Sequence, residues 1–95
     1  MKELVWVRKP SEKEKAIMEA QPTWDHEAGT WDAYYDQRQE SFLVIEGEGS
    51  ITTEDGKVYH FKAGDFVTAE RDFNCVWSVP NYIKKHYIFN MEFED

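Results

Sequence analysis

Three side chains of this 95-residue chain carry the chemistry worth weighing first: Glu40, Cys75 and His86. Glu40 opens the run ESFLVIEG (residues 40–47), which is otherwise apolar or small until Glu46. A carboxylate entering such a strand on its inward face must be compensated, because an unpaired buried charge is costly. Set against aromatic neighbours it would hold its proton more tightly and could act as a general acid, bind a metal, or serve as a structural acceptor for Tyr, Trp or His donors. Cys75 is a soft ligand or nucleophile only as a thiolate, which needs nearby positive charge; otherwise a buried cysteine is a small apolar filler. His86 fits a ligand, an acid/base partner of Glu40, or a hydrogen-bonded core histidine. Together the three offer the O, S and N donors that Zn2+ takes, but their convergence depends wholly on the fold. Ser41 lacks a nucleophile-elbow context, and Gly47-Glu48-Gly49 is followed by no helix that could cradle a phosphate.

The elements that must position these residues are mostly strands. Residues 3–8 alternate weakly, as an edge strand would, and Pro10-Ser11 ends them. Ser11 followed by Glu14 is a capping-box pattern and predicts a short helix over about Glu12–Glu19. From Trp24 onward the periodicity is that of strands: 31–36, 41–47, 50–53, 58–62, 66–69, 75–79 and 84–93. Glu54-Asp55-Gly56-Lys57 reads as a hairpin turn. Short strands at this spacing predict an antiparallel sandwich or barrel, all-β but for the helix. Residues 1–95 form one domain by length. Aromatic residues make up 16% of the chain, enough to fill a narrow interior.

Charge narrows the partners. With 19 acidic and 11 basic residues the net charge is −8, which disfavours nucleic acid and anionic membranes. A single cysteine, no signal-peptide pattern and no membrane-length apolar run lead to the expectation of a cytoplasmic protein.

Glu40, six residues, Gly47, and then Gly64 with Cys75 eleven residues on, resemble the two motifs of the cupin superfamily. In metal-binding cupins the first motif supplies His-x-His and Glu, and the second supplies Pro-x-Gly and a last His; three His and the Glu hold a divalent metal. Here Ala33 and Tyr35 stand at the first two His positions, Cys75 at the third, and Glu70 and Asp72 at those of the Pro and Gly. Glu40 alone of the four ligands keeps its family residue. Across nearly the whole chain, Trp24, Tyr34-Tyr35-Asp36, Glu40, Glu46-Gly47, Gly64-Asp65, Cys75, Trp77 and Lys85-His86-Tyr87 are similar to the small single-domain cupins related to ureidoglycine aminohydrolase. That resemblance implies a jelly-roll β-barrel over 24–91, preceded by a strand and short helix over 1–23, and a homodimer.

It also implies inward rows: Ala33, Tyr35, Glu40, Phe42 and Val44; Cys75, Trp77 and Val79; His86 and Ile88. The expected pocket is then Tyr35, Glu40, Phe42, Cys75, Trp77 and His86, with Trp24 and Trp31 able to cover its mouth. Three functions follow as expectations. The first is binding of a small polar molecule without the usual metal and with no cofactor. The second is a metal-dependent enzyme related to ureidoglycine aminohydrolase, using Zn or Mn on Glu40, Cys75 and His86. The third is a structural or regulatory dimeric scaffold. Replacement of three of four ligand positions argues against the enzyme.

Overall fold

Ser11 caps the helix as its spacing predicts. In a computed structural model that describes residues 4–35 and 38–90, the Ser11 hydroxyl accepts from the Glu14 N–H and the Glu14 carboxylate accepts from the Ser11 N–H. The helix, α1, spans Glu12–Glu19. Glu3, Asp36 and the acidic tail after Asn90, which the sequence reading placed in strands or at a frayed end, lie outside the described residues. No helix of the described residues is long and apolar enough to cross a membrane.

The strands are β1 (Val5–Arg8), β2 (Thr23–Tyr35), β3 (Glu40–Thr53), β4 (Val58–Lys62), β5 (Phe66–Ala69) and β6 (Phe73–Phe89). They form one antiparallel sheet in the order β1-β5-β3-β6-β2, with β4 pairing β3. The closed barrel expected from the resemblance is therefore, among the described residues, an open ladder ending on β1 and β2. β3 and β6 are each one long strand where the sequence suggests two. Their shared ladder slips between Val44 and Glu46 and again between Gly47 and Ser50. The folded-over sheet still encloses a core, in which Phe42 of β3 meets Phe61 of β4 edge to face at 5.2 Å and both rings pack on Trp77.

On the opposite face α1 inserts Met18 against Leu43 and Phe66, with Ile45 and Ile88 alongside. Arg8 of β1 grips the buried Glu14 through both carboxylate oxygens, tying the helix to the edge strand. These bonds hold the Glu14 carboxyl down at about 2, against the upward push of burial. The unfolded chain binds that proton near 4.5 and the folded chain only near 2, so the stabilisation is complete above the first value and lost as pH falls through the second. Acid unfolding should therefore steepen across this window, and Glu14→Gln should flatten the profile there. An unchanged profile in the variant would show that the pair contributes nothing.

Candidate functional site

The inner face is set by strand alternation. Opposite one another across the ladders stand Ala33 and Cys75, Trp31 and Trp77, Glu40 and Phe89, Phe42 and Tyr87, and Val44 and Lys85. Directly paired residues share a face, so Lys85 points inward with Glu40 and Phe42. Trp24 pairs Lys85 from the other side, on β2.

Glu40 and Lys85 form the polar heart of the site. Lys85 Nζ lies 2.7 Å from Glu40 Oε2, and both side chains are more than nine-tenths buried. The other carboxylate oxygen accepts from the Tyr35 hydroxyl at 2.7 Å, and that hydroxyl accepts from Trp77 Nε1 at 3.3 Å. Around the ammonium stand the rings of Phe42, Trp77 and Trp24, with centroids 4.1, 4.7 and 5.0 Å away. Cation–π attraction and the ion pair thus offset the loss of hydration. Burial lowers the proton affinity of Lys85 and Glu40 opposes it. Burial, reinforced by the charge on Glu40, raises the Tyr35 hydroxyl well above its ordinary value, so it remains a donor.

A cavity of about 300 Å3 lies over this group. Tyr35, Glu40, Trp77 and Lys85 line it, Trp24 and Trp31 wall it, and exposed Tyr34 and Arg38 stand at its mouth. Trp31 stacks on Trp77 at 5.9 Å, and the exposed ring of His26 lies between Trp24 and Trp31, at 5.5 and 4.3 Å from them. A second hollow of about 330 Å3 reaches the same ion pair past Tyr87 and Phe89.

Of the six expected pocket residues, Tyr35, Glu40 and Trp77 meet in this cavity. Phe42 lies beneath the Lys85 ammonium and does not line the cavity. Cys75 faces inward but borders a separate hollow of about 430 Å3 with Thr53 and Asn74. His86 is corrected: it pairs Leu43, which packs on α1, and its Nδ1 lies 2.8 Å from the Gln21 carbonyl oxygen. The reason is phase. β6 runs unbroken, so the inward odd-numbered row through Cys75, Trp77 and Val79 continues to Ile83 and Lys85. Ile88, expected inside with His86, likewise packs on the helix side. Sequence reasoning missed Lys85 and Arg38. The odd row, carried through Pro80, is the signal that identifies the first; no comparable signal marks Arg38.

The Glu40, Cys75 and His86 set consequently does not converge, and no group of three His, Cys, Asp or Glu among the described residues could hold a metal ion. Burial and the neighbouring Glu40 charge also push the Cys75 thiol up to about 11, so it is protonated near neutrality. The metal that the fold family implies does not fit these donors; an ammonium supplies the interior positive charge instead.

The family model for the EutQ-like cupin domain matches residues 13–87, and the chain belongs to that family. It is similar to a DUF861 family protein from Thermotoga maritima, known from its crystal structure, at 36% identity and a TM-score of 0.81, covering 88% of this chain and 97% of that one. A protein with unknown function of the DUF861 family from Pseudomonas syringae pv. tomato shares the fold at 24% identity and a TM-score of 0.64. That match covers 72% of this chain and spans only 29% of the Pseudomonas chain. The search of curated proteins gave no match.

Proposed function

We propose that this cupin binds a small, planar polar molecule in the cavity above Glu40 and Lys85, without a metal. The carrying observation is the 2.7 Å contact between Lys85 Nζ and Glu40 at the cavity floor, buried beneath aromatic walls. Apolar walls with a few convergent polar groups are the usual make-up of a small-molecule site. Trp24 and Trp31 offer flat faces, Glu40 accepts from a donor-bearing ligand, and Lys85 and Arg38 favour an acceptor or anionic group. The alternative of a metal-dependent enzyme akin to ureidoglycine aminohydrolase finds no support in a donor set that faces two sides of the sheet. A homodimer belongs to the same proposal, since β1 and β2 end the ladder and an open edge is where a second copy can add.

Three tryptophans line the cavity and report on its occupancy. Small oxo- and hydroxy-carboxylates, with their amides as neutral controls, should include a member that quenches this fluorescence saturably and raises the melting temperature by mass action. Tyr35→Phe leaves Glu40 Oε1 and Trp77 Nε1 without their partner at the cavity floor and should weaken that binding by about tenfold, the worth of one hydrogen bond to a charged group. Absence of both saturable quenching and a thermal shift across such a panel would overturn the binding reading.

A further inference from the structure

Lys85 is the buried lysine among the described residues, and its amine opens on the cavity beside a base. Transfer of a proton from Nζ to Glu40 Oε2, along their 2.7 Å hydrogen bond, turns an ion pair into a neutral amine and a neutral acid. The ion pair, held by the ring contacts, is the resting state, and this transfer draws the nucleophilic amine from it. Burial of Lys85 weakens its hold on the proton and so eases the transfer. The Cys75 thiol, held up to about 11, does not compete as nucleophile. At the mouth, the Arg38 guanidinium lies 4.1 Å from the Phe89 ring and is placed to pair with a carboxylate.

We infer that Lys85 is an amine nucleophile that condenses reversibly with a small oxo acid admitted to the cavity, with Glu40 as the proton carrier. The inference rests on the binding reading above and adds a covalent step to it. The Nζ lone pair forms a bond to the carbonyl carbon while the C–O π pair moves to oxygen, which takes the proton held by Glu40. Glu40 then recovers a proton from the nitrogen, leaving a carbinolamine. That proton passes to the hydroxyl, the C–O bond breaks and water leaves as the nitrogen lone pair closes the C=N bond. The products are one iminium, paired with the Glu40 carboxylate, and one water; nothing is oxidised or reduced.

The test is reductive trapping of the full-length protein with pyruvate, glyoxylate or acetaldehyde and sodium cyanoborohydride, which delivers hydride to a C=N bond. Tryptophan fluorescence is followed in parallel without the reductant. Peptide mass mapping should place the adduct on Lys85, formed about ten times faster than on exposed lysines such as Lys9 and Lys57, with the acids ahead of acetaldehyde. Lys85→Arg, which keeps the charge, should lose the adduct; the map of the unaltered protein decides the matter if that variant fails to fold. Saturable quenching with no Lys85 adduct overturns the imine and leaves the binding reading standing. Neither quenching nor adduct overturns both, and labelling spread over lysines in proportion to exposure overturns the imine.

Discussion

Replacing Lys85 by methionine is expected to cost about 3–5 kcal/mol of folding stability, although methionine is close in shape and more apolar. The loss arises because Glu40 keeps its buried position while its cation disappears, leaving only the Tyr35 hydroxyl to hold it. For a domain of this size that is a large share of the total, so the urea midpoint should move well below that of the parent or the variant should be unfolded at room temperature. Glu40→Gln should cost less, since the amide keeps an acceptor for Tyr35 and the aromatic rings still face the ammonium. Its pH dependence has a fixed sign. Glu40 holds the Lys85 proton on, against burial, so its removal lets that pKa fall further. The unfolded chain then binds more protons than the folded one between the lowered pKa and the ordinary lysine value, and the variant should gain stability as pH rises through that interval. A Lys85→Met protein as stable as its parent would show that the two groups do not depend on each other.

Gly47→Ala is expected to be at least as damaging, about 4 kcal/mol or more, a size reserved for a few named mechanisms. Gly47 has φ of +76°, where a Cβ is strained, and the added carbon would stand 1.8 Å from the Tyr82 carbonyl oxygen. That neighbour is backbone and cannot rotate away, so β3 and β6 would have to part where Gly47 pairs Ile83. Lys85 lies two residues beyond, and the disturbance should reach the ion pair and blunt ligand quenching in whatever folded fraction survives. Gly56→Ala is the control: φ is +86° but nothing lies within 4 Å of the added carbon, so only the backbone strain of about 1 kcal/mol is expected. Similar losses for the two alanines in a denaturant titration would remove close packing at Gly47 as the cause.

Much of this fold is legible in the residues because local rules agree with the tertiary ones. Ser11 and Glu14 cap α1 as their spacing implies, Asp55-Gly56 turns β3 into β4, and Glu40, Cys75 and Trp77 face inward as strand alternation requires. Pro80 lies in the gap between the expected strands 75–79 and 84–93, where the ladders to β2 and β3 both skip, between Val79 and Tyr82 and between Ser78 and Ile83. Its missing N–H therefore breaks no ladder bond, and β6 passes through. A strand that begins afresh at 84 has no fixed phase relative to 75–79, so the expected row passes through His86 where the structure has Lys85. Lysine is almost never buried unless paired, and the carboxylate that pairs Lys85 is 45 residues away in sequence, so no local pattern marks it. The open ends of the ladder were equally hidden, since closure depends on which distant strands meet and not on any strand's own pattern.

The central claim is that Lys85, paired with Glu40, is the interior cation of this cupin. A double-mutant cycle across Glu40→Gln and Lys85→Met tests it most directly, with unfolding free energies measured for all four proteins at neutral pH. The prediction is a double variant closer in stability to the parent than Lys85→Met alone, with a coupling of about 2 kcal/mol or more that high salt leaves nearly unchanged, as befits a desolvated pair. Losses that simply add, or a coupling abolished by salt, would contradict it.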